Sequence, residues 1–154
     1  MADSIRQPRP DLRLAIELIA GRAADSGSLS EASRQFQTLS PTALAYLGDA
    51  VFELFVRTAL LLPPKRLQTY HQQVVEQVRA ERQVQHLDVL IPRLTPSELN
   101  VFKRGRNASP RGPRRLTPSI YQRATGFETL IGHLYLNDLP RLVELLEYVD
   151  LTVS

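Results

Sequence analysis

Residues 40–59 read SPTALAYLGDAVFELFVRTA. The opening Ser40-Pro41 pair is a helix start: the hydroxyl satisfies an orphan N–H of the first turn, and proline, which has no N–H, fills the first helical position without loss. The remainder of the stretch is apolar at most positions, and the run from Ala43 to Leu62 is long enough to cross a bilayer. It also carries Asp49, Glu53 and Arg57, each of which would cost about 3 kcal/mol at mid-membrane. The segment is therefore expected as a buried helix of a folded domain, not as an anchor.

The same punctuation recurs. Thr95-Pro96 and Thr117-Pro118 again set a hydroxyl before a proline, and Glu98 stands where it would close a capping box with Thr95. A fourth helix is expected to begin near Lys65, after the Pro63-Pro64 break. A fifth is expected near Asp138, where Asn137 ends one helix and Asp138 with Pro140 opens the next. No window alternates with period two, and neither an Asn-Gly nor an Asp-Gly turn signal occurs. The expected fold class is all-α, with five or six core helices.

With 154 residues, 43% of them apolar, the chain is expected to form one globular domain. A chain of that length buries roughly two-thirds of the surface its unfolded form exposes and needs no covalent staple. There is no cysteine, which excludes disulfides and cysteine-based zinc sites. Residues 1–35 read differently from the rest: a Pro/Arg-rich lead-in, one short helix over about 11–20, and a Gly/Ser linker around 27–30. They are expected to be a partly mobile extension of a domain covering residues 36–154. The N-terminus lacks the basic-then-apolar pattern of a cleavable signal, so the cytoplasm is the expected location.

The formal net charge of +3 understates the electrostatics. From Leu99 to Phe127 there is no acid, against seven cations: Lys103, Arg104, Arg106, Arg111, Arg114, Arg115 and Arg123. A block of one sign suits a polyanion; its plainer reading is a loop kept soluble by arginine. Within it, Ser109 to Pro118 holds three prolines, a glycine and three arginines, and is expected as an irregular, exposed connection between two helices.

Acids embedded in apolar helices are the other conspicuous feature. Asp49 lies in the apolar run 43–62, with Glu53 one turn on along the same face. Gly48 costs about 1 kcal/mol relative to alanine inside a helix, which suggests that another backbone comes close. After Thr117 the theme repeats: Glu128 sits among Phe127, Leu130 and Ile131, flanked by Gly126 and Gly132. Two glycine-bearing helices packed together could bring the acids into contact. An ionised carboxylate in such surroundings needs a cation, a metal or a proton. From spacing alone, two readings are open: pairing with arginines, or convergence of carboxylates on a hard ion such as Mg²⁺ that bridges to a phosphate.

Tyr46-Leu-Gly-Asp-Ala-Val-Phe-Glu-Leu54 resembles the signature helix of the ribonuclease III family, and Glu128-Thr-Leu-Ile-Gly-His-Leu-Tyr-Leu136 resembles that family's second acidic helix. The resemblance covers roughly residues 36–150. Lys103-Arg-Gly-Arg-Asn-Ala108 and Thr125-Gly-Phe-Glu128 are similar to the family's Mini-ribonuclease III subgroup, so a double-stranded-RNA-binding domain of the kind full-length members carry is not expected after residue 154. The resemblance implies a homodimeric, Mg²⁺-dependent, double-strand-specific endoribonuclease of 23S ribosomal RNA maturation. Such an enzyme cleaves paired precursor ends to 5′-phosphate and 3′-hydroxyl termini, and a large-subunit ribosomal protein can stimulate it.

By position, the resemblance makes Asp49 and Glu128 the catalytic, metal-binding carboxylates. The family's further acids, one and two turns before the signature Asp and three residues before the second Glu, are replaced here by Ala45, Thr42 and Thr125. Glu53 is expected to pair with Arg57 at i+4. His71, His86 and His133 show no metal-ligand spacing and read as surface or packed residues. Lys103, Arg104, Arg106, Asn107, Arg111, Arg114 and Arg115 are the candidate RNA contacts; phosphate contacts of this kind position a duplex without reading its sequence. Two other readings compete: a non-catalytic RNA-binding assembly factor on this scaffold, and an all-α protein-interaction module.

Overall fold

The computed structural model describes residues 36–152; the helix and linker expected within residues 1–35 lie outside them. The described residues form six α-helices and no strand: α1 (Pro41–Ala59), α2 (Leu67–Val78), α3 (Ala80–Leu90), α4 (Pro96–Ala108), α5 (Pro118–Asn137) and α6 (Leu139–Leu146), with a single 3₁₀ turn at Ile91–Arg93. The fold is all-α, as the punctuation predicts.

The caps fall where the sequence places them. Ser40 Oγ accepts from the Ala43 N–H, Thr117 Oγ1 from the Ile120 N–H, and Asp138 Oδ1 from the Arg141 N–H. Thr95 and Glu98 close a full capping box, at 3.2 and 3.1 Å. Each such cap contributes about 1 kcal/mol. One boundary differs from expectation. The helix opening after Pro63-Pro64 breaks at Arg79, whose extended backbone (ψ 153°) ends α2 and starts α3. No glycine or proline marks that break, because Arg79 turns the chain on an ordinary residue.

α5 is the central element. It packs along α1 on one side and α4 on another, with α3 closing a third. Phe52, Phe55 and Val56 of α1 meet Phe127, Leu130 and Ile131 of α5, all fully buried, with Leu87, Leu90, Leu142 and Leu145 completing the core. Phe52 and Phe127 meet edge to face, with centroids 5.1 Å apart, worth about 1 kcal/mol beyond their burial. Glu98 anchors α6 to α4 through Arg141 Nε at 2.8 Å, and the same guanidinium donates to the Arg93 carbonyl.

Helix α1 is not buried all round. Its core stripe runs Leu44, Ala45, Gly48, Val51, Phe52, Phe55, Val56 and Ala59. The opposite side leaves Ala43, Ala50 and Leu54 exposed, and Tyr46 is 85% exposed. Apolar content therefore overstates the burial of α1: one stripe suffices to hold it against α5, and no described helix covers the other.

Candidate active site

Where α1 crosses α5, the contact is backbone against backbone. A Cβ placed on Gly48 would overlap the Glu128 carbonyl and stand 2.8 Å from the Gly132 nitrogen. A Cβ on Gly132 would in turn overlap the Leu44 carbonyl. Real side chains do not pack so tightly, so the crossing requires glycine at both places. The close approach inferred from Gly48 in the sequence is thus present, and its partner is the turn of α5 that carries Glu128. Gly105 of α4 closes onto the Thr129 side chain in the same manner. Thr129 Oγ1 donates to the Thr125 carbonyl at 2.8 Å and lies 3.3 Å from the Pro41 carbonyl at the start of α1.

This crossing sets Asp49, next to Gly48, against Glu128. Asp49 stands at the exposed rim and Glu128 is half-buried behind it. The two carboxyls are within hydrogen-bonding reach of each other. Burial, and then the negative charge of Asp49, push the Glu128 carboxyl up to about 7. Asp49 is raised as well, by partial burial and then by the charge of Glu53, while the hydrogen bond from Glu128 pulls it back. Burial and the neighbouring charge thus favour protonation of Glu128, the more buried of the two. Two like charges at this separation are relieved either by that proton or by a cation.

A third helix contributes a group that the sequence motifs do not include. Gln83 of α3, only 2% exposed, donates from Nε2 to Glu128 Oε1 at 3.2 Å. A signal is present in the sequence: Gln83, Leu87 and Leu90 share the i, i+4, i+7 spacing of a core face, so an amide stands where an apolar side chain is expected.

Glu53 acts on Asp49 only through its charge and has a partner of its own. Glu53 pairs with Arg57 at 3.5 Å on the exposed side of α1. Ala45 is buried at 5% and Thr42 exposed. Thr125 donates to the Tyr121 carbonyl and accepts from Ser109 Oγ at 3.2 Å. Among the described residues there is no cluster of three or more histidines and acids suited to a metal. His86 is packed at 3% exposure beside Phe52, its ring centroid 5.8 Å away and its Nε2 without a partner. Burial and then the charge of Arg82 lower it to about 4. A pair of carboxylates suits Mg²⁺, which takes one or two from the protein and fills its remaining octahedral positions with water and phosphate oxygens.

The basic residues gather along the other flank of α5. Lys103, Arg104 and Asn107 are exposed on α4, and Arg106 lies with its guanidinium 5.7 Å from the Phe102 ring centroid. Arg111, Arg114 and Arg115 are exposed on the connection between α4 and α5. Among the described residues, none of Lys103, Arg104, Arg111, Arg114 and Arg115 is paired with a carboxylate. Arg123, by contrast, is neutralised by Asp88 of α3. Two interactions fasten the connection to α5. Ser109 bonds Thr125, one turn before Glu128, and Gly112 (φ +79°) lies so close over the Tyr121 ring that a side chain there would collide with it.

Known proteins share these helices. A family model described as Ribonuclease III domain matches residues 42–139. The chain is 56% identical over 115 residues to the Mini-ribonuclease 3 of a Synechocystis strain, covering 75% of this chain and 80% of the relative. It is 51% identical over 116 residues to the Mini-ribonuclease 3 of Gloeobacter violaceus, covering 75% and 86%. A crystal structure of a Fusobacterium nucleatum protein superposes with a TM-score of 0.61 at 32% identity, covering 64% of this chain and 81% of that one. The chain therefore belongs to the ribonuclease III family, in its Mini-ribonuclease III branch, and is an endoribonuclease of double-stranded RNA.

Proposed function

We propose that residues 36–154 form a Mg²⁺-dependent catalytic unit that trims the paired ends of precursor 23S ribosomal RNA in the cytoplasm, leaving 5′-phosphate and 3′-hydroxyl termini. The observation that carries this reading is the opposed pair Asp49 and Glu128, brought together where Gly48 and Gly132 let α1 cross α5 backbone against backbone. Asp49 and Glu128 are the groups that would hold Mg²⁺. When bound, the ion supplies positive charge for the scissile phosphate and acidifies a water for in-line attack.

The chain's own residues do the rest. Glu128 must release its proton to take up the ion, so binding and deprotonation are coupled at that carboxyl. Lys103, Arg104, Arg106, Asn107, Arg111, Arg114 and Arg115 seat phosphates of the duplex beside the acids. Recognition then depends on A-form shape and 2′-hydroxyls more than on base identity.

The uncovered apolar side of α1, with Tyr46, Ala50 and Leu54, favours a homodimer in which two acid pairs face one duplex, one for each strand. A large-subunit ribosomal protein that shapes the RNA fits a site reading shape. The test is incubation with a 23S precursor stem in Mg²⁺ or EDTA, alongside Asp49→Asn and Glu128→Gln. Discrete cuts requiring the ion and both carboxylates are expected; cleavage that persists in EDTA, or in both variants, overturns the assignment.

A further inference from the structure

We propose that Gln83 is a positioning residue of the metal site: its buried amide, delivered from α3, fixes the rotation of the Glu128 carboxylate through the bond to Oε1. The inference rests on Glu128 being a metal-holding carboxylate.

Three observations support it. Gln83 is 2% exposed and its Nε2 donates to Glu128 Oε1 at 3.2 Å. A buried amide left without a partner is destabilising, so this bond helps to hold Gln83 in the core. The bond also reaches Glu128 from a different helix than the one that brings Asp49. α1 fixes where the α5 backbone lies, through Gly48 and Gly132, but a backbone contact does not set the side-chain torsions of Glu128. Those are left to Gln83 and Asp49, and of the two only Gln83 is a pure donor to the carboxylate through its N–H. A donor remains compatible with Glu128 after the carboxyl ionises, whereas Asp49 then repels it. Gln83 is therefore the partner that keeps the carboxylate oriented in the state that takes up a cation.

The experiment uses the full chain. Gln83→Met removes the donor at nearly constant volume, and Gln83→Asn keeps the amide but shortens its reach. Mn²⁺ binding without RNA, monitored by electron paramagnetic resonance, is read beside the Mg²⁺ concentration giving half-maximal cleavage of a duplex. Duplex affinity in EDTA and the thermal midpoint are recorded in parallel. Loss of such a supporting partner weakens metal binding by about 10–100-fold, so both variants are expected to bind Mn²⁺ at least about tenfold more weakly and to need correspondingly more Mg²⁺. Duplex affinity in EDTA is expected to stay unchanged. In the background of Glu128→Gln, Gln83→Met is expected to have no further effect on Mn²⁺ binding.

Wild-type Mn²⁺ affinity in a folded Gln83→Met protein overturns the role of Gln83. Should that variant fail to fold, Gln83→Asn with wild-type Mn²⁺ affinity does the same. If Glu128→Gln alone leaves Mn²⁺ binding intact, the reading of Glu128 fails first, and the two failures are thereby told apart.

Discussion

The crossing of α1 and α5 and the connection between α4 and α5 lie on the same central helix and are built on opposite terms. At the crossing two backbones touch through Gly48 and Gly132, leaving no room for even a methyl group, and two half-compatible acids are forced together. Along the connection, Arg111, Arg114 and Arg115 stand in solvent, fastened only at Ser109 and Gly112. Chemistry at one phosphate needs a few atoms placed to fractions of an ångström. Attraction for a polyanion needs charge in roughly the right region, and each charge can stand in for its neighbour. The first region should therefore respond to single substitutions all or none, and the second by increments.

The sharpest way to break that contrast is at the acids. Glu128→Gln and Asp49→Asn are each expected to lower the cleavage rate by about 10³-fold or more, the equivalent of several kcal/mol of transition-state stabilisation, with circular dichroism and duplex affinity preserved. A graded, tenfold loss would place the site among the distributed features instead. Next in size is Gly48→Ala. The added Cβ overlaps the Glu128 carbonyl, so the helices must separate. We expect about 3 kcal/mol or more of destabilisation by denaturant titration, and loss of cleavage even where the protein remains folded.

Third, the pH dependence of stability in EDTA separates the two buried titrating groups. Glu128 is raised from 4.5 to about 7, so the folded state binds the extra proton and stability falls as pH rises through that window. His86 is lowered from 6.5 to about 4, so the unfolded state binds the extra proton and stability falls as pH drops from 6.5 towards 4, by about 3 kcal/mol. Between 4.5 and 6.5 the two slopes oppose and flatten the profile. Glu128→Gln removes the alkaline loss and leaves a curve rising to pH 6.5, which thermal denaturation at successive pH values will register.

Fourth, replacing Arg111, Arg114 and Arg115 together by alanine is expected to reduce the slope of log affinity against log salt by about one for each phosphate left without its arginine, while each single change is modest. Smallest is Glu53→Ala. It breaks an exposed pair with Arg57 worth about 0.5 kcal/mol at most and is expected to leave cleavage within about twofold.

Helix starts are legible in the sequence because a cap is a local interaction: Ser40, Thr95, Thr117 and Asp138 satisfy donors within three residues. The approach of α1 to α5 can be inferred from Gly48, since glycine inside a helix has a cost that something must offset. The break at Arg79 is not legible, because it uses no special residue. The open side of α1 is hidden for another reason: alanine, leucine and tyrosine read as core whether or not anything covers them. Gln83 escapes because its role depends on a partner 45 residues away, and only the fold brings a lone amide to a lone acid. Arg123 belongs to the basic block by composition, yet Asp88 claims it across another helix.

Tyr46 stands one turn before Asp49 and is 85% exposed, in a chain without tryptophan. Within its own chain a ring so exposed leaves room for a larger one. Tyr46→Trp would therefore give the protein a single indole beside its acids and on the uncovered side of α1. Emission from that indole can report self-association and duplex docking in separate titrations, with no label attached.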